Sequence, residues 1–137
     1  MGDYFRDKLG YDHIDMESGN VFEELKRAPS DALTRFISSS SDLIVTGGFM
    51  VTDWAFQMLR QFIDAGFSFV WFDGDRQSAR REFAKRGTVP LEAFDAKIIE
   101  LEGHYDAIMA LNPKVINPFN QGGAFKTLVQ IAGEILH

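Results

Sequence analysis

Two short apolar runs constrain the fold of this chain more than anything else in it. Leu43-Ile44-Val45-Thr46 is closed by Gly47-Gly48, and Phe67-Ser68-Phe69-Val70-Trp71-Phe72 is closed by Asp73-Gly74-Asp75. Neither shows the sustained polar alternation of a strand with one wet face, so both are expected to be strands of a parallel sheet covered on both faces. Parallel neighbours cannot be joined by a tight turn and need a crossover. The intervening segment supplies one, because Met58, Leu59, Phe62 and Ile63 recur at helical spacing and Gly66 follows as a stop. The fold class that follows is α/β.

The same alternation extends in both directions. Tyr11–Met16 and Lys114–Asn117 are two further strand candidates. Tyr4–Leu9 is expected to be a helix closed by Gly10, and Val21–Ile37 one or two helices broken at Pro29. Ser38-Ser39-Ser40-Ser41 is short enough to be a loop. Leu91, Phe94, Ile98, Leu101 and Tyr105 fall at helical intervals, with Thr88 and Pro90 placed to start that helix. A last stripe of Phe125, Leu128, Val129, Ala132, Ile135 and Leu136 predicts a helix docked at the end of the chain. At 137 residues, with 45% hydrophobic and 25% charged side chains, the whole of 1–137 is expected to form one domain around one core. The order αβαβαβααβα opens on a helix, where doubly wound domains commonly open on a strand, and so predicts an incomplete version of that plan.

Composition removes several chemistries. There are no cysteines, which excludes disulfides, thiolate metal sites and cysteine nucleophiles. His13, His104 and His137 are too scattered to suggest a zinc cluster. A net charge of −6 argues against a nucleic-acid-coating surface. No apolar run has the length of a membrane span, and Met1–Asp7 has neither the basic start nor the apolar stretch of a secretory signal, so a cytoplasmic protein without a membrane partner is expected.

Phe69–Asp75 followed by Ser78–Gly87 is similar to the strand and lid of gluconate-kinase-like proteins, and the Leu91–Glu102 helix fits the same pattern. More loosely, the chain from Gly2 onward resembles the shikimate/gluconate/nucleoside-kinase group of P-loop proteins, with Leu9–Glu17 matching their second strand. The resemblance implies a P-loop NTPase fold, a parallel sheet sandwiched by helices, that transfers phosphate from ATP, with Mg²⁺, to a small-molecule acceptor. Sugar acids, shikimate-like compounds and nucleosides are all candidate acceptors. Relatives carry a first strand and a G-x-x-x-x-G-K-[ST] loop ahead of a helix like Gly2–Leu9, and neither is in this sequence. Gly122-Gly123-Ala124-Phe125-Lys126-Thr127 does not have that spacing. Backbone N–H groups and the lysine of that loop grip the phosphates, so negligible kinase activity is expected from this polypeptide. An N-terminally truncated domain is one expectation; a longer product in which Met1 is internal is another. In the family the first strand is central, between the strands corresponding to Leu43–Thr46 and Phe67–Phe72. Its loss exposes sheet edges and predicts rearrangement, exchange of elements in a homo-oligomer, or a non-catalytic interaction module held by association.

The resemblance also assigns residues. Asp15 and Glu17 meet the acceptor, with Asp15 also reaching Mg²⁺ and acting on the acceptor hydroxyl; Gly47 and Gly48 belong to the acceptor site. Arg81 and Arg86 become lid contacts to the transferred phosphoryl group, and Phe119 and Gln121 lie beside adenine. Each assignment has a plainer alternative. Asp15 and Glu17 suit solvated turn acids or a helix cap. Arg76, Arg80, Arg81, Lys85 and Arg86 suit an exposed helix face with a Glu82–Arg86 pair. Asn117–Gly123 suits a strand-to-helix loop, Asp73-Gly74-Asp75 a turn with Asp75 capping the next helix, and His104 a helix-terminus partner. Trp54, Phe56, Trp71 and Phe72 are expected in the core.

Overall fold

The four strands that the sequence suggests form two separate parallel pairs, not one sheet, in the computed structural model, which describes residues 1–39, 42–48 and 50–137. Ser40 and Ser41 of the predicted serine loop lie outside the described residues. The chain is mixed α/β, and it divides into two compact units, Met1–Phe67 and Ser68–His137.

The first unit runs α1 (Gly2–Leu9), β1 (Asp12–Asp15), α2 (Val21–Arg27), α3 (Pro29–Ser39), β2 (Leu43–Thr46) and α4 (Asp53–Asp64). α1 stops at Gly10, as its sequence predicts. Pro29 lacks an N–H and can open a helix but not sit within one, so Val21–Ser39 becomes two helices. α4 begins where Thr52 Oγ1 accepts from Ala55 N at 3.2 Å. Its apolar stripe buries Ala55, Phe56, Met58 and Phe62. Met58 and Phe62 pack with Leu25, Ala32, Leu33 and Phe36, and Ile14, Leu43 and Val45 of the sheet close on that cluster. Each of the buried Leu, Phe and Met side chains of that cluster contributes on the order of 1.5–3 kcal/mol by leaving water.

The second unit runs β3 (Val70–Phe72), α5 (Arg76–Arg86), α6 (Leu91–Gly103), α7 (Tyr105–Met109), β4 (Lys114–Ile116) and α8 (Leu128–Leu136). Four predicted elements are trimmed or divided, the Lys114–Asn117 strand by the loss of Asn117. Phe67–Phe69 is not strand, because the ladder to β4 spans only Val70–Phe72 against Lys114–Ile116. The Leu91–Tyr105 stripe breaks at His104, whose N–H donates to Leu101 O, so Tyr105 starts a separate helix. Phe125 precedes α8, which starts only after a capping box formed by Thr127 and Gln130.

Each sheet has two strands, β1 with β2 and β3 with β4, and no third strand joins either among the described residues. The strands are also less covered than their apolar runs predict. All four residues of β2 are only half-buried, and Phe72 of β3 is 45% exposed, so Phe72 leaves the predicted core while Phe56 stays in it. Trp54 and Trp71 are half-buried. No helix among the described residues is long and apolar enough to cross a membrane.

Candidate functional site

In the first unit the parallel register sets Asp15 of β1 beside Thr46 of β2, so the chain leaves both strands at the same edge. Met16 N continues the ladder to Thr46 O at 2.8 Å. Two loops therefore emerge side by side, one carrying Glu17 and the other Gly47 and Gly48. Asp15 Oδ1 accepts from Glu17 N at 3.0 Å, a local turn that holds the two acids together. Gly48 N donates to Glu17 Oε1 at 3.2 Å. A Cβ on Gly48 would come within 2.8 Å of that same oxygen, so a side chain there would push the carboxylate away. The four residues assigned to an acceptor, Asp15, Glu17, Gly47 and Gly48, are thus gathered at the carboxyl ends of two parallel strands, where α/β sheets commonly hold ligands. Asp15 and Glu17 are exposed, and Asp15 Oδ2 and Glu17 Oε2 make no hydrogen bond among the described residues. Two open carboxylate oxygens can accept from ligand hydroxyls or from the water shell of a cation.

Sequence reasoning missed one residue of this region. His13 Nε2 meets Thr46 Oγ1 at 2.8 Å, and Nδ1 lies 3.4 Å from Asp3 of α1, tying both strand ends to the first helix. Its place on β1 was readable. Its partner depended on the strand register, which the sequence does not print.

The carboxyl ends of β3 and β4 form a different kind of edge in the second unit. Asp75 caps α5: its Oδ1 accepts from Ser78 N at 3.0 Å and its Oδ2 from Ser78 Oγ at 2.6 Å. The Ser78 hydroxyl, then the Ser78 backbone N–H, hold the Asp75 carboxyl below the usual aspartate range. Asn117 Oδ1 accepts from Asp75 N at 3.4 Å and from Phe119 N at 3.0 Å, joining the two strand-end loops. Asp73 pairs with Arg76 at 3.2 Å. Asp73-Gly74-Asp75 is therefore a turn and a cap.

The cations of α5 are largely engaged. Arg80 pairs with Asp95 at 2.9 Å and holds that carboxyl below its ordinary value, while Arg76 also reaches Glu102. Glu82 takes Lys85 at 3.0 Å and Arg81 at 3.7 Å, in place of the predicted Arg86. Arg81 donates to the carbonyl of Gly123, which fixes it against the 117–123 loop. Arg86 is exposed with no ion pair among the described residues. Five positions apart on one helix, Arg81 and Arg86 project about 140° from each other and do not share a face.

Phe119 is buried, 4% exposed, and stacks on Phe125 at 4.6 Å, while Gln121 is exposed. His104 Nδ1 lies 3.0 Å from Glu100 O at the end of α6, a helix-terminus role. Asp15 and Glu17 thus belong to the first unit, and Arg81, Arg86, Phe119 and Gln121 to the second. No family model, curated protein or solved structure matches this chain.

Proposed function

We propose that the chain is built on the plan of a P-loop small-molecule kinase, that its first unit is the acceptor-binding end of that plan, and that this polypeptide by itself transfers no phosphate. The observation that carries the reading is the gathering of Asp15, Glu17 and Gly48 at the shared carboxyl edge of β1 and β2, with Gly48 N on Glu17 Oε1. An acceptor with several hydroxyls matches that edge, because the open carboxylate oxygens accept and the glycine backbone admits close approach.

Mg²⁺ and ATP enter through the family resemblance and fit the residues unequally. Asp15 and Glu17, each with one carboxylate oxygen open, would suit a Mg²⁺ that brings its own waters and phosphates. The phosphates of ATP find no comparable fit. The 137 residues contain no G-x-x-x-x-G-K-[ST], Arg81 is engaged by the Gly123 carbonyl, and Phe119 is covered by Phe125. No transfer step is assigned to these residues for that reason.

The test is a binding and turnover experiment on this polypeptide with sugar acids, a shikimate-type acid and nucleosides. Saturable binding of one acceptor class is expected, weakened at least about tenfold in Asp15→Asn and Glu17→Gln by the loss of charged acceptors. ADP release with ATP·Mg²⁺ and any acceptor is expected at background, and measurable turnover would sink the claim of inactivity. Binding unaffected by both substitutions, or no binding across the panel, would remove the acceptor assignment.

A second reading, a self-associating module, is favoured by the two-stranded sheets together with exposed apolar side chains such as Ile99, Val129 and Phe125, which are 70%, 66% and 54% exposed. Sedimentation analysis across concentration decides it. A monodisperse monomer that unfolds cooperatively would end that reading.

A further inference from the structure

α6 is thirteen residues long, the longest helix of the second unit, yet none of its residues is fully buried. Its apolar side chains Phe94, Ile98 and Leu101 border a cavity of about 170 Å³. Ile108 and Phe119, 1% and 4% exposed, line the same space, as does Trp71. At its rim stand Phe72, Tyr105 and the Asp73–Arg76–Glu102 ion pairs. Phe94, Ile98, Leu101 and Trp71 are half-buried and Phe72 and Tyr105 are 45% and 43% exposed, so this space is an apolar cleft that opens to solvent.

We propose that this cavity binds a small, uncharged, single-ring aromatic compound. Volume sets the size: about 170 Å³ has room for one six-membered ring, since a space of roughly 150 Å³ accepts benzene. The lining sets the class, since Trp71, Phe72, Phe94 and Tyr105 place aromatic rings along the cleft. Electrostatics exclude an anion. Among the described residues Arg76 is the only cation on the lining and is held by Asp73 and Glu102, and Asp75 adds a second carboxylate to that lining, so a charged carboxylate guest would lose its hydration without gaining a partner. The cavity belongs wholly to the second unit and owes nothing to the acceptor edge of the first.

Toluene is the probe, with the full chain. The sequence has two tryptophans, so a Trp54→Phe background leaves Trp71 as the sole indole reporter on the cavity. Toluene is expected to change Trp71 emission saturably and to raise Tm by several degrees, as any ligand of the folded state must. Benzoate, the same ring with a charge, is expected to bind at least about tenfold more weakly. Leu101→Phe fills the space and is expected to keep the helical circular-dichroism signal while losing at least about tenfold in toluene affinity. Should that variant not fold, Ile98→Phe answers the same question. Absence of a saturable signal in folded protein, benzoate binding as tightly as toluene, or a folded cavity-filled variant that binds like the parent would each overturn the proposal.

Discussion

The two units contain the same smallest sheet, two parallel strands, and are held together in different ways. In the first, helices close over the sheet: Leu25, Leu33, Phe36, Met58 and Phe62 form one buried cluster with Val45 and Leu43 packed on it. In the second, the long helix α6 buries no residue; the buried side chains Ile108, Leu111, Ile116, Phe119, Ile131 and Ala132 come from the other segments, alongside the Asp75 cap, the Asn117 clamp, the Thr127–Gln130 capping box and the ion pairs of α5. Apolar burial scales with the area removed from water, so α6 adds less to its unit than α4, which buries Ala55, Phe56, Met58 and Phe62, adds to the first. In the second unit the long helix that buries no residue is also the one that borders the apolar cleft.

That contrast can be broken most directly at Leu25, which is fully buried. Leu25→Ala should cost about 2–5 kcal/mol in denaturant unfolding, while Leu101→Phe in the second unit should stay within about 1 kcal/mol of the parent or stabilise it. Equal and large losses from both would show that the second core is as closed as the first.

Next in size is Gly123, at φ 82°, where a Cβ would meet Ser78 Oγ at 2.8 Å. Gly123→Ala should cost about 1–3 kcal/mol, combining left-handed strain with displacement of Ser78 and Arg81. A neutral result would mean that the 117–123 loop is not anchored to α5.

Acid should act on the second unit through Asp75. Its folded carboxyl sits below the ordinary value of 3.8, because Ser78 Oγ and then Ser78 N favour the charged form. Stability from that cap is fully present above the unfolded value and disappears as pH falls through the depressed folded one. Asp75→Asn should therefore lower Tm at pH 7, where the charged cap acts in full, and converge with the parent below about pH 4, which flattens the acid limb of the Tm–pH profile. An unchanged acid limb would assign the acid sensitivity to other carboxylates.

The smallest effect is expected at the exposed Arg80–Asp95 pair, where a double-mutant cycle should give a coupling that fades as salt is raised. A coupling that survives high salt would mean that α5 and α6 are clamped electrostatically and not simply apposed through Phe83 and Phe94.

Much of this was readable from the sequence. Leu43–Thr46 became β2 with its predicted limits, Gly10 and Pro29 ended and divided helices, and Asp75 capped α5. These are local effects, fixed by φ restriction, a missing N–H or a side-chain acceptor. The failures share another cause. Tyr105 and Phe125 are both in phase with a helical stripe, yet one starts a new helix and the other stacks on Phe119. The signal that would have placed α8 was the Thr127–Gln130 capping box, which a search for apolar periodicity passes over.

For the candidate site, the sequence named the acids and the glycine pair through the family resemblance. It could not say that Gly48 N meets Glu17 Oε1 across 31 positions, or that His13 meets Thr46 across 33. Those contacts exist because two strands pair in one register, and a shift by one residue would send every side chain to the other face. By itself the sequence determined the class of the fold, the elements and most of their ends, because periodicity, glycine, proline and caps act within a few residues. Only the tertiary structure decided which strand ends meet, which arginines are already engaged, and that α6 lies over a cavity, because register and packing depend on partners that the local chain cannot see.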